Sequence, residues 1–285
     1  MSALARQESI NWSNRMDHST TSQMTYIANA VTAVGSGGFP EMLGNLCLSV
    51  FNFDSIFISV FSQDLPPRQL YSNLDAEATR RTVGPYLSHA YLLDPFYGLF
   101  KSDIGNRVVS LEECAPDDFK TTEYYKIFYS EIGLRDEVTI FVGAGNGTSI
   151  ALSLGQRYSD VHCPPEATAQ LDALLPVIAA LCHKHWPNLD VPGNQASPDM
   201  GLVFDRFGTT RLSTREAEIV RLMLKGHSTK SIARLLGNSP ETIKVHRKRI
   251  YAKLKISSQG ELFCKFIGAQ AAAPTEAEAA TMMLS

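Results

Sequence analysis

The sequence predicts two folds in series: an α/β domain built as an α-β-α sandwich, then an all-α module of four short helices. Three observations carry this. From residue 24 to 186 the patterns run helix, hairpin, helices, hairpin, helix, an order that sets helices on both faces of one sheet. From Leu212 to Phe263 four helix-start signals follow at close spacing. The charge is also divided. Of 26 Lys+Arg and 29 Asp+Glu in 285 residues, positions 205–265 hold 14 basic and 5 acidic, and positions 1–204 hold 12 basic and 22 acidic. A formal net charge of -3 thus conceals a C-terminal module near +9 and a remainder near -10.

Residues 1–23 are polar with no periodic face and read as a flexible arm. Thr25 to Val34 reads as a helix broken by Gly35-Ser36-Gly37-Gly38. Pro40 to Phe51 reads as a second, with Met42, Leu43, Leu46, Cys47 and Val50 as its inward stripe. Ser55 to Phe61 alternates Ile56, Ile58 and Val60, a strand pattern; Pro66-Pro67 turns the chain and Gln69 to Asn73 returns. Ala76 to Lys101 is helical, interrupted near Pro85 and at Asp94-Pro95. Asp117 to Ile132 is an aromatic-rich helix stopped by Gly133. Glu137 to Gly143 and Ser149 to Leu154 flank Gly145-Asn146-Gly147, a hairpin signal. A strand and not a helix follows these glycines, which argues against a phosphate loop. Glu166 to His185 closes the domain (24–186), residues 187–206 form a linker, and 207–269 form the helical module. The Ala-rich 270–285 reads as a disordered tail.

Each helix of the module has its own start. Ser213 and Glu216 are spaced as a capping box for a helix running to Leu224, with Gly226 as its stop. Ser228 caps Thr229 to Leu236, which Gly237-Asn238 closes. Ser239-Pro240 opens a third helix, and Ser258 with Glu261 repeats the box for a fourth. On the third, Ile243, His246, Ile250 and Leu254 fall on one side. Glu241, Val245, Lys248, Arg249 and Ala252 fall on the other, with Lys244 and Arg247 on the flanks. Four cations within six positions repel one another unless an anion faces them. Two helices joined by a tight turn, the second basic, match a helix-turn-helix, and the anion is then double-stranded DNA.

Other classes find little support. Five cysteines (47, 114, 163, 182 and 264) are scattered without a C-x-x-C pair, as expected for reduced thiols in a cytoplasm. The first twenty residues lack an apolar export core, and the longest mostly apolar run, Leu171 to Cys182, is too short for a bilayer. No membrane association, cofactor or metal is expected. In Cys182-His183-Lys184-His185 the two imidazoles stand at i and i+2, on different helix faces. No Ser/His/Asp order, carboxylate pair or nucleophile elbow marks an enzyme.

The segments LSTREAEIVRLMLKG, STKSIARLLG and SPETIKVHRKRIYAKLKI resemble the C-terminal DNA-binding domain of LuxR-type transcription regulators, also used by NarL-type response regulators. The resemblance implies that Lys244, Val245 and Lys248 reach base edges, beside Arg249 on the exposed basic face. It also implies that Ser228, Lys230, Thr242 and Arg247 meet phosphates and that the fourth helix pairs two copies on DNA. Thr229, Ser231, Asn238 and Gln259 stand where the family carries Asn, Glu, an apolar residue and Arg. The preceding half resembles the autoinducer-binding domain of LuxR-type quorum sensors at Phe53-Asp54, Leu93-Asp94-Pro95 and Gly133-Leu134. There the residue matching Asp94 binds the signal's amide N–H. Glu77 and Arg81 occupy the places of the family's head-group Tyr and Trp, and Val108 to Leu111 lacks its Trp. The expectation is a homodimeric regulator of an operator with partial dyad symmetry. It would be controlled by a small molecule other than an ordinary acyl-homoserine lactone, held by Asp94 with Tyr71, Phe96, Tyr125 and Phe128. The alternative is a ligand-independent regulator whose N-terminal domain only dimerises. RNA polymerase is a further expected partner.

Overall fold

The computed structural model describes residues 22–63, 65–88, 90–102, 104–157, 162–187, 189 and 207–271. The expected arm up to residue 21, most of the linker and the tail from 272 lie outside the described residues.

Five antiparallel strands form one sheet in the order β2-β1-β5-β4-β3. They are β1 (Ser55–Ser62), β2 (Arg68–Ser72), β3 (Arg107–Ser110), β4 (Leu134–Gly145) and β5 (Thr148–Arg157). Period-two alternation sorts the side chains. Ile56, Ile58, Val138, Ile140, Ile150, Leu152 and their neighbours share one apolar cluster with residues of α1 (22–33), α2 (Phe39–Leu48) and α8 (Pro165–His185). The opposite face carries Phe61, Phe141 and Ala151, covered by the segments between β2 and β4. Helices thus lie on both faces of one sheet.

The helical covering is more broken than the sequence predicts. Ala76 to Lys101 becomes α3 (Ala76–Ala78), a π turn (Thr79–Val83), α4 (Gly84–Ser88), a 3-10 turn (Ala90–Leu93) and α5 (Pro95–Phe100). Pro85, which cannot donate a helical hydrogen bond, lies inside α4, and the π turn stands just before it. The expected helix Asp117 to Ile132 divides into a 3-10 turn (Phe119–Thr121), α7 (Glu123–Phe128) and a second 3-10 turn (Ser130–Ile132). Thr122 turns extended (φ -75°, ψ 155°) and its hydroxyl accepts from Tyr125 N, so it caps a new helix instead of continuing one. Strand β3 and α6 (Leu111–Cys114) were not expected. Only Val108 and Val109 are buried in β3, too few for a periodic signal.

The helical module matches expectation closely: α9 (Thr214–Leu224), α10 (Thr229–Leu235), α11 (Pro240–Leu254) and α12 (Gln259–Ala271). Ser213 and Glu216 form the full capping box, and Ser228 and Ser239 accept from Ser231 N and Thr242 N. The fourth start differs. Ser258 Oγ accepts from Glu261 N, but the Glu261 carboxylate accepts from Ser257 N and Ser257 Oγ, one residue before the cap.

One apolar cluster runs through both parts of the chain, joining Phe119 and Tyr124 to Met223, Ile232 and Phe266. The module is seated on residues 117–123. Asp118 N donates to Gly226 O at 2.9 Å. Gly226 itself lies so close that a Cβ there would stand 2.8 Å from Phe119 Cα, at φ +92°, where only glycine is at ease. Gly260, at the start of α12, faces the Glu123 carboxylate; a Cβ there would meet Oε1 at 3.3 Å.

Candidate functional site

Two places concentrate polar chemistry: the outer face of α11 and a cavity on the sheet side of α7. On α11, Ile243, Ile250 and Leu254 are buried. Thr242, Lys244, Val245, Lys248 and Arg249 are exposed, Val245 with half its surface open. Lys230 of α10 is exposed as well. Arg247 is half-buried: it donates to Thr229 Oγ1 at 3.0 Å and to Gln259 Oε1 at 3.5 Å. Gln259 in turn donates to Met223 O at 2.8 Å, so the glutamine at the family's arginine position ties α11 to α9 and α12. His246 is half-buried and its Nδ1 is enclosed without a hydrogen-bond partner.

The frame beneath this face is held by charge. Burial works against an ionised Glu216, but Lys253 Nζ at 2.6 Å and the Ser213 donors outweigh it and hold the carboxyl down to about 2. Arg215 fastens the helix-turn-helix corner, donating to Leu236 O at 2.5 Å and to Asn238 Oδ1 at 2.6 Å. Asn238 therefore serves the turn through its side chain, where the family has an apolar residue.

Ser228 does not face open solvent. Its N–H donates to Asp117 Oδ1 at 2.9 Å and its hydroxyl donates to Asp117 Oδ2. A carboxylate of the α/β domain thus sits on the cap of α10, where the helix dipole favours an anion. Asp117's carboxyl is held below the usual range, since these bonds outweigh the cost of partial burial. Sequence reasoning gave no sign of this contact, because its partners are 111 residues apart.

The cavity, about 100 Å³, lies between the sheet and the helical covering. Asp94, Glu137, Tyr86, Tyr124 and Tyr129 supply its polar wall, with Phe57, Val83, Phe128, Ile132 and Leu134 among the apolar lining. Asp94 caps α5, its Oδ1 accepting from Phe96 N at 2.8 Å while Oδ2 accepts from Tyr86 OH at 2.6 Å. Glu137 Oε2 accepts from Tyr129 OH at 2.6 Å. Burial raises both carboxyls above the usual range, and for Glu137 the neighbouring Asp94 charge raises it further.

Of the residues expected to hold a ligand, Asp94 and Phe128 line this cavity. Tyr71, Phe96 and Tyr125 do not. Tyr71 sits on edge strand β2 near Gly44, Phe96 is buried beside its own cap residue, and Tyr125 stacks on Tyr129 at 5.1 Å. Helix breaks account for the shift: with Thr122 restarting α7, Tyr124, Phe128 and Tyr129 turn to the cavity and Tyr125 away. Glu137 was missed, although a legible signal exists. A carboxylate two residues before Thr139 in a strand buried on both faces must have an internal partner.

An exposed basic helix in a helix-turn-helix frame, joined to a sheet domain enclosing a polar-walled cavity, defines a transcription regulator with an attached sensor-type domain. Residues 210–266 match the model of "Bacterial regulatory proteins, luxR family". An Aeromonas salmonicida protein named as an HTH-type transcriptional regulator in the exeN 3' region is 30% identical over 161 residues, 53% of this chain and 82% of that protein. The monoamine regulon transcriptional regulator of Klebsiella aerogenes is 24% identical over 208 residues, 73% of this chain and 81% of its own. Among solved structures, the VqsR LBD domain of Pseudomonas aeruginosa superposes with a TM-score of 0.51 at 25% identity, over 57% of this chain and 94% of that one. The chain belongs to the luxR family of bacterial transcription regulators, and its α/β half has the fold of the family's ligand-binding domains. It is a regulator and not an enzyme. Among the described residues no helix is long and apolar enough to cross a membrane.

Proposed function

We propose that the chain is a dimeric, sequence-specific DNA-binding regulator whose affinity for its operator is set by a small molecule held in the cavity beside Asp94. Its working parts are a sensor domain over 24–186 and a DNA-binding module over 207–269, acting in the cytoplasm with RNA polymerase as the downstream partner. One observation carries the coupling. Residues 117–129 form both the seat of the module, through Asp117, Phe119 and Glu123, and part of the cavity wall, through Tyr124, Phe128 and Tyr129. A ligand that moves these tyrosines moves the seat, and binding energy in the cavity then shifts the population able to bind DNA.

On the operator, Lys244 and Lys248 donate to purine edges and Val245 meets a thymine methyl. Lys230, Thr242, Arg247 and Arg249 meet phosphates, with Ser228 at the start of α10. Asp117 already holds the Ser228 N–H and hydroxyl, so this arrangement and phosphate contact at Ser228 exclude each other. Two copies paired through α12 set recognition helices in successive major grooves, roughly 34–36 Å apart. Selection from a randomised DNA pool tests the reading. The expected outcome is an inverted repeat with half-sites about one turn apart; recovery of no motif above background would remove sequence-specific binding.

A further inference from the structure

The cavity has an unusual electrical makeup for a site between a sheet and its helical covering. Two carboxylates, Asp94 and Glu137, line it, and among the described residues no Lys, Arg or His does. The donors that hold them are all neutral: Tyr86 OH at 2.6 Å and Phe96 N at 2.8 Å on Asp94, Tyr129 OH at 2.6 Å and Thr139 Oγ1 at 3.5 Å on Glu137. In the same wall stands Tyr124, 2% exposed, whose ring packs on Phe119, Phe128 and Tyr129 and whose hydroxyl has no hydrogen bond among the described residues. A phenol hydroxyl without a protein partner, in a wall open to a void, is free to bond a ligand.

We infer that the ligand is a small organic cation, an alkyl or aryl amine whose ammonium sits between Asp94 and Glu137 while its apolar body lies along Phe57, Val83 and Leu134. This rests on the sensor reading above and names the ligand class of that site. An ammonium has three donors and no acceptor. It neutralises both carboxylates with charge-assisted hydrogen bonds, and the third donor has Tyr124 Oη within the same wall. The tyrosine rings add the aromatic surface on which a desolvated cation is stabilised. A neutral amide or lactone does none of this for the second carboxylate and leaves it buried without a counter-charge. Burial already raises both carboxyls, and the Asp94 charge raises Glu137 further, as in a site short of positive charge. The void of about 100 Å³ is below the ~150 Å³ that encloses benzene and is open on one side, so it sizes only the buried part of the ligand, at fewer than about six heavy atoms.

The test is calorimetric titration of the full chain with isopentylamine, isopentanol and isovalerate, which share a carbon skeleton and differ in charge. The amine is expected to bind at least tenfold more tightly than the alcohol, with isovalerate weakest. Glu137→Gln is expected to bring amine and alcohol within about threefold of each other. Should that variant fold poorly, the charge series on the unmodified chain decides alone. Alcohol or isovalerate binding as tightly as the amine, or no amine binding up to 10 mM, overturns the inference. Small molecules released by denaturing protein purified from its host separate the two levels of the argument. A neutral or anionic ligand leaves the sensor reading standing and ends this inference, and an empty cavity ends both.

Discussion

Replacing Asp117 with alanine removes the acid that occupies the start of α10. Its carboxylate accepts from Ser228 N at 2.9 Å and from the Ser228 hydroxyl. Bonds to an ionised acceptor are worth about 1.5–3 kcal/mol when buried. Asp117 is exposed, and solvent screening reduces the pair to about 0.5–1 kcal/mol in total. Asp117→Ala withdraws that stabilisation from the seated arrangement and spares the cap, because Ser228 Oγ still accepts from Ser231 N at 3.1 Å. Apparent affinity scales with the fraction of molecules competent to bind, so operator binding tightens about two- to fivefold. Asp118→Ala is the matched control. It makes the same charge change one residue along, where the contact to the module runs through the backbone N–H to Gly226 O. Fluorescence anisotropy with labelled operator at one salt concentration compares the two. Equal gains at both positions would falsify the reasoning, since they would report net charge alone. A loss at Asp117 would show that the contact favours DNA binding.

Three further outcomes are expected. Lys248→Ala relaxes base choice at one operator position, at about 1–3 kcal/mol for a good contact; an unchanged motif in randomised-site selection removes Lys248 from base readout. Lys230→Ala weakens all sequences alike and lowers the salt slope by about one phosphate, so a loss confined to the operator contradicts that role. Glu137→Gln changes how stability depends on pH. Burial raises the Glu137 carboxyl in the folded chain, so the folded state binds the proton more tightly than the unfolded one. Its contribution is fully present below the ordinary carboxylate range and is lost as pH rises through the raised value. The variant, which cannot ionise, therefore gains melting temperature over the unmodified chain between pH 4 and pH 8, and a difference that stays constant with pH refutes the assignment.

The helical module was legible because its signals are local. Ser213, Ser228 and Ser239 each name a start, and each side chain accepts the expected backbone N–H. The sheet was legible through Ile56, Ile58 and Val60 on one side and the turn at Asn146-Gly147 on the other. Strand β3 escaped because four residues pairing only with β4 carry no period of their own. The cavity was legible at Asp94 and Phe128 but not at Tyr86, Tyr124, Tyr129 or Glu137. Their convergence depends on Thr122 restarting a helix and on a strand register that sets Glu137 opposite Gly155. Neither event leaves a periodic trace. The seat at Asp117 was out of reach for a simpler reason: nothing at either end of a contact spanning 111 residues marks the other.

The central claim is that a small molecule in the cavity governs DNA binding. Native mass spectrometry of the chain purified from its host, with and without operator DNA, tests it most directly. The account predicts a dimer carrying an extra mass that denaturation releases, with the DNA-bound fraction changing when that molecule is removed. A dimer without extra mass that binds operator equally well before and after unfolding and refolding would contradict it, leaving a ligand-independent regulator.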